Sequence, residues 1–237
     1  MLKAKISYDG TSYFGWQKTK MGPSIQETLE KALYQVLRRP ISVEAASRTD
    51  RGVHAEGQVI HFDAPLAYLK KQLNCVLPHD IWIASLEEVA ANFHATLQAT
   101  GKEYTYSLCR SPSQLPIHRL YSWHFPHPLD LAKMRKGALH LLGTRDFSPF
   151  AGEKEENPIC TLTHLSIEEE GSRLKIVLRG DRFLYKMVRT LVGTLVYIGS
   201  GKLPADGIPE IKNRTQAGMT APAHGLFLSK VFYNGTE

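Results

Sequence analysis

The order in which strand-like and helix-like periods follow one another constrains this chain more than any other feature. Leu2, Ala4, Ile6 and Tyr8 alternate with Lys3, Lys5 and Ser7, the period of a strand with one covered face. Ser24 followed by Glu27 is a capping box, and Ile25, Leu29, Leu33 and Leu37 recur at four-residue spacing, so a helix is predicted that ends at Arg39-Pro40. Residues 41–45 and 58–62 read as strands, 66–74 as a short helix before Leu77-Pro78, and 81–89 as a further strand. The same order then returns: strand 103–109, helix 130–142, paired strands 161–168 and 173–179, helix 183–198 and closing strand 225–232. No residues repeat between the two series; only the element order does. An α+β chain of two ferredoxin-like β-α-β-β-α-β halves is expected, spanning 1–98 and 99–237, each with an antiparallel sheet and helices on one face.

Between the second and third predicted strands lies Ala46-Ser47-Arg48-Thr49-Asp50-Arg51-Gly52-Val53-His54-Ala55. Two arginines, a carboxylate and a glycine share one short bend, and tight loops at the ends of regular elements commonly present reactive side chains. Thr49-Asp50-Arg51-Gly52 is also ordinary turn chemistry, because Asp bonds its own backbone and Gly accepts positive φ. Asp50 is the candidate for chemistry, with the arginines as charge partners or contacts to an anionic substrate. The first strand leads into Asp9-Gly10-Thr11-Ser12-Tyr13-Phe14-Gly15-Trp16-Gln17. Its rings either close the end of a core or offer a stacking surface to nucleic acid, and its glycines lack the spacing of a dinucleotide-binding loop.

The segment Phe183 to Gly193 is apolar over more than one helical face, and Arg189 falls at the edge of the apolar arc beside small Gly193. A guanidinium there either reaches solvent over a packed stem or pairs with a carboxylate; Asp50 is the partner expected in the second case. Such a pair favours the ionised carboxylate and fixes its direction, which suits a nucleophile or base and not a general acid.

Composition narrows the classes. Hydrophobic residues at 43% and charged residues at 22% argue against disorder. The formal charge of +6 is compatible with a polyanionic partner without requiring one. Cys75, Cys109 and Cys160 are odd in number and widely spaced, so neither a disulfide framework nor a zinc ribbon is suggested. His118, His124 and His127 in the proline-rich stretch 110–128 lack metal-ligand spacing. The opening residues alternate instead of forming an apolar leader and no apolar run reaches membrane-spanning length, so a cytoplasmic protein is expected.

Taken together, the motifs resemble the bacterial A-type transfer RNA pseudouridine synthase family. The resemblance is carried by Tyr8-Asp9-Gly10-Thr11 with Phe14-Gly15-Trp16-Gln17, Arg48-Thr49-Asp50 with Gly52-Val53-His54-Ala55, Phe93-His94-Ala95, Lys102-Glu103-Tyr104-Thr105-Tyr106, Asp146-Phe147-Ser148 with Phe150, Phe183 to Arg189, and Ala221-Pro222-Ala223-His224-Gly225-Leu226, in the family's order. It implies the pseudouridine synthase fold with a central RNA-binding cleft, and isomerisation of uridine in the anticodon arm, at positions 38, 39 and 40 of transfer RNA. It implies Asp50 as the catalytic aspartate, Tyr104 packing against the flipped base, Arg189 paired with the aspartate, Arg48 contacting RNA and Leu226 as apolar wall of the base pocket. Lys186, Lys212 and Arg214 are assigned to phosphate or backbone contact. No cofactor or metal, a homodimer, and neither membrane nor DNA as partner are expected. Ser47 stands where the family usually has glycine, and Arg51 where alanine is usual. The readings left beside this one are a non-catalytic RNA-binding module and a pseudouridine synthase acting on another RNA site.

Overall fold

The computed structural model describes residues 1–67 and 69–234, and the chain divides into two compact units. The first comprises Met1–Thr100 and the segment from Phe227 onward; the second is Gly101–Leu226. Among the described residues no helix is long and apolar enough to cross a membrane.

In the first unit β1 (Leu2–Tyr8) runs antiparallel to both β3 (His54–Phe62) and β4 (Ile81–Glu88), while the short β2 (Glu44–Ala45) pairs antiparallel with β3. The alternation read in β1 holds, with Leu2, Ala4, Ile6 and Tyr8 buried. Helix α1 (Ile25–Leu37) begins where the capping signal places it, with the Ser24 hydroxyl accepting the Glu27 N–H at 3.2 Å, worth about 1 kcal/mol. It ends at Arg38 in the left-handed region. Helix α2 (Leu69–Val76) packs on α1 and β4. Two strands differ from expectation. The segment 41–45 forms only two residues of strand, because the side-chain carboxylate of Glu30 takes the Val43 N–H at 3.1 Å. Conversely β3 starts four residues earlier than periodicity suggests; it is buried at every position but Glu56, so alternation is lost there.

The second unit holds β5 (Ala99–Cys109), β6 (Trp123–His124), α3 (Leu131–Leu139), β7 (Gly143–Asp146), β8 (Ile159–Glu170), β9 (Arg173–Gly180) and α4 (Met187–Gly199). Its strands run in the order β6-β5-β9-β8-β7, with β6 parallel to β5 and the other pairs antiparallel. The short β6 and β7 are additions that the sequence pattern does not announce. Helix α4 begins at Met187, not at 183. Lys186 has φ 59°, the Tyr185 carbonyl accepts the Gly152 N–H at 2.7 Å and the Leu184 carbonyl accepts the Met187 N–H at 3.1 Å, so a turn at 185–186 precedes the helix.

The closing strand β10 (Leu226–Tyr233) pairs parallel with β3 through Phe227↔His54 and Leu228↔Ala55, which is why the chain from Phe227 onward belongs to the first unit although sequence order suggests the second half. Gly57 makes this pairing possible: a Cβ there would lie 2.2 Å from the Ser229 carbonyl oxygen. At the end of β10 the Tyr233 hydroxyl donates to the Ala95 carbonyl at 2.7 Å over a small core of Ala46, Val59 and Ala95.

In the second unit, the buried face of α4 is cut small where the segment 218–221 lies against it. A Cβ on Gly193 would stand 1.7 Å from the Met219 carbonyl oxygen, and Thr194 Oγ1 accepts the Gly218 N–H at 2.9 Å. Gly193→Ala is therefore expected to destabilise by about 1–3 kcal/mol despite the better helix propensity of alanine, read as a lowered Tm in thermal unfolding; an unchanged or higher Tm would show that the segment gives way freely.

Candidate active site

In the first unit the loop bearing Asp50 is fixed from below by one buried amide. Gln58 on β3 is fully buried; its Oε1 accepts the Ser47 N–H at 3.2 Å and its Nε2 donates to the Ser47 carbonyl at 2.7 Å and to the Tyr8 hydroxyl at 3.5 Å. The Tyr8 hydroxyl in turn lies 2.8 Å from Thr49 Oγ1. Burial pushes the Tyr8 phenol up to about 12, opposed by its Thr49 and Gln58 hydrogen bonds, so it stays protonated. From the other side, the Trp16 N–H donates to the Thr49 carbonyl at 3.0 Å, and Gly15, at φ 92°, would place a Cβ 2.7 Å from that same oxygen. Gly10 is equally required, since its Cβ would stand 2.0 Å from the Val53 carbonyl oxygen, while its N–H donates to His54 Nδ1 at 3.1 Å. His54 itself stacks on Phe227.

Asp50 opens the turn so held. Its carbonyl accepts the Val53 N–H at 3.1 Å and Gly52 takes φ 77°, the geometry of a turn that needs glycine at its third position. Asp50 is half-buried, and Arg48 and Arg51 on either side are exposed. The Arg51 guanidinium lies 4.1 Å from the centre of the Phe14 ring, so this departure from the usual family residue adds a cation–π contact between the two loops. Of the aromatics in residues 9–17, Tyr13 and Trp16 are buried and close the core. Ser47 at the other departure has both backbone groups taken by Gln58.

The second unit carries the remaining candidates. Tyr104 on β5 is buried and meets Phe183 edge to face at 5.2 Å between ring centres. Two residues along, Tyr106 is fully buried, donates its hydroxyl to the Pro222 carbonyl at 2.8 Å and touches Gly225; burial raises its phenol far above the usual range, against the lowering effect of Arg189. Arg189 is half-buried in the first turn of α4. Its Nε donates to the Ala221 carbonyl at 2.7 Å while its own carbonyl accepts the Ala221 N–H at 3.0 Å. Leu226, where β10 starts, is buried. Lys186 is half-buried, with its ammonium 4.7 Å from the Tyr185 ring centre. Arg214 donates to the Gly218 carbonyl and to Thr220 Oγ1, both at 2.8 Å, and Lys212 to the Pro209 carbonyl at 2.9 Å, so these two cations brace the 209–220 loop.

Sequence reasoning misses Gln58 and Tyr106 as site-building residues. The signal for Gln58 is a polar side chain within the apolar run of a central strand, where burial demands partners.

Glu44, His61 and His94 place potential metal-ligating atoms within 4.8 Å of one another. The donor set does not fit a cation. Nδ1 of His61 accepts the Ala95 N–H at 3.2 Å, and Nδ1 of His94 accepts the N–H groups of Thr96 and Leu97. A histidine ligating through Nε2 must carry its proton on Nδ1, aimed at an acceptor, whereas both rings here face backbone donors.

A sequence model of the tRNA pseudouridine synthase family matches residues 4–96 and 138–234. A protein named tRNA pseudouridine synthase A 2 from Protochlamydia amoebophila is 47% identical over 98% of this chain and 94% of its own length. One named tRNA pseudouridine synthase A from Acetivibrio thermocellus is 44% identical over 98% of this chain and 99% of its own. Among solved structures, an H/ACA ribonucleoprotein bound to a substrate RNA containing 2′-deoxyuridine aligns with 82% of this chain and 44% of that chain, at 10% identity and a TM-score of 0.42. The chain thus spans less than half of it, and that likeness is too slight to transfer anything. The relatives and the family match run through both the Asp50 turn and the β9–α4 region, and the chain belongs to the bacterial A-type tRNA pseudouridine synthase family of isomerases.

Proposed function

We propose that this chain converts uridine to pseudouridine in the anticodon arm of transfer RNA, at positions 38, 39 and 40, with Asp50 as the catalytic carboxylate. The observation that carries the assignment is the turn itself: a half-buried aspartate is presented on backbone fixed from opposite sides by Gln58 and Trp16. Preorganisation of that kind is what catalysis requires and what an ordinary surface turn lacks.

The reaction breaks the bond from uracil N1 to ribose C1′ and forms one from C5 to C1′, while the C5 proton is lost and N1 gains one. Atoms are conserved and nothing is oxidised, so no cofactor is needed. Asp50 attacks C1′, attacks C6, or removes a ribose proton to give a glycal; each route uses the ionised carboxylate. Arg189 is read as the positive partner of that carboxylate. Tyr104 packs against the uracil and Leu226 walls its pocket, holding the detached base for reattachment. The nucleotide must leave the stack to reach Asp50, at a cost of a few kcal/mol; Arg48 assists at the exposed edge of the turn, with Lys186, Lys212 and Arg214 as backbone contacts of lesser weight. The two series of elements are read as duplicated ferredoxin-like halves, and the active form as a cytoplasmic homodimer that binds one transfer RNA across both subunits.

Asp50→Asn should lower pseudouridine formation about a thousandfold or more while transfer RNA binding and Tm stay near wild type; near-normal turnover in a tritium-release assay would refute the assignment. Arg189→Ala should cut activity roughly a hundredfold and cost about 1–2 kcal/mol through the lost bond to Ala221; normal rate and melting curve would show that the guanidinium serves neither. Gln58→Leu strands the buried N–H and C=O of Ser47, so about 2–4 kcal/mol of stability should go together with turnover, leaving KM for transfer RNA little changed. Full activity in that variant would mean that the turn holds without the amide. Mapping pseudouridine in transfer RNA incubated with the protein tests the target, and modification solely outside the anticodon arm would reject it.

A further inference from the structure

Two cations in the second unit have no assigned work. Lys102 precedes Tyr104 by two positions on β5, and residues two apart in a strand share a face. Arg182 precedes Phe183, whose ring packs on Tyr104, and the Lys102 and Arg182 charges act on each other. Neither is fully exposed.

What distinguishes the pair, among the described residues, is that neither cation is ion-paired with a carboxylate. The intervening Glu103 is on the opposite face and bonded to Arg179, its cross-strand neighbour. Asp181 has Oδ1 occupied by the backbone N–H groups of Thr161, at 2.8 Å, and Arg182, at 2.6 Å. Among the described residues no carboxylate comes within ion-pair distance of Lys102 or Arg182, including Asp146, Glu155 and Asp181, which act on the neighbouring Cys160 thiol. Burial, reinforced by Arg182, pulls the Lys102 ammonium down to about 8. Two adjacent cations held partly out of water repel and are costly in the free protein. A folded chain tolerates that arrangement where an anion from outside completes it.

We propose that Lys102 and Arg182 form a binding site for a phosphodiester of the RNA substrate, next to the ring of Tyr104. The proposal rests on the reading that Tyr104 packs against the everted uracil; the phosphate is then one close to the target nucleotide, and the pair anchors the strand while the base turns. Lysine and arginine together suit this ligand: the guanidinium offers a fork to two phosphate oxygens and the ammonium a point charge to a third.

The test compares wild type, Lys102→Gln, Arg182→Gln, the double variant and Lys102→Arg. Binding of a fluorescent transfer RNA transcript is measured across salt concentrations, alongside KM, kcat and Tm. The double variant should raise KM about tenfold, leave kcat within about twofold, and reduce the slope of log affinity against log salt by roughly one. Lys102→Arg should behave as wild type. Tm of the free protein should hold or rise in Lys102→Gln, because like charges are separated, whereas a purely structural lysine would lower it. If wild type makes pseudouridine and the double variant keeps its KM and salt slope, the lysine merely reaches solvent and the proposal fails. A joint fall in Tm, kcat and affinity would likewise overturn it in favour of a structural role. If wild type forms no pseudouridine but the slope still falls, the catalytic reading fails and the phosphate site stands.

Discussion

One primary amide holds the Asp50 loop in place. Gln58 is fully buried and meets both backbone groups of Ser47, so the chain leaving β2 is fixed to β3 before it turns through Asp50. A buried amide is costly without partners and specific with them. Here its Nε2 also reaches Tyr8, which carries the constraint on to Thr49, next to Asp50. The Asp9–Gln17 loop closes over the opposite side, and Gly10 and Gly15 are the residues that let its backbone come so near. The aspartate thus sits on a segment with little conformational freedom left to lose on binding substrate.

The second unit solves a related problem with different groups. Segment 218–221 must lie against α4, and it does so through backbone: Gly193 removes the side chain in its way, Thr194 takes the Gly218 N–H, and Arg189 grips Ala221 from both its main chain and its side chain. Arg214 braces the same segment from outside. Tyr106, Pro222 and Gly225 then lock the approach to β10. Orientation of Arg189 and placement of Leu226 therefore depend on one packed segment whose polar groups are matched inside the protein.

Charge is distributed unevenly with respect to need. Glu103 with Arg179 and Glu169 with Arg110 and Arg135 are matched sets near strand edges. Lys102 and Arg182 have no such carboxylate partner among the described residues, and Lys102 shares a strand face with Tyr104. Leaving cations partly dehydrated and uncompensated lowers the stability of the free protein but favours an anionic ligand, the usual compromise at a binding surface.

Periodicity by itself determined β1, α1 and the β8–β9 pair, since each has one apolar and one polar face and so writes its geometry into residue spacing. It also determined which residue types were candidates, because a carboxylate, two arginines and a glycine in one bend, with their companions, are readable without coordinates. It fails where burial is two-sided or where backbone geometry decides. Uniform burial hides the start of β3, and the helix predicted from 183 starts four residues too early because Phe183–Lys186 is apolar enough to imitate helix while Lys186 adopts φ 59°. Only the tertiary structure decided that β10 pairs parallel with β3, that Gln58 supports the Asp50 turn, and that Arg214 and Lys212 face carbonyl oxygens of their own loop. Each of these is a contact between residues distant in sequence or a hydrogen bond to backbone, and residue spacing carries no record of either.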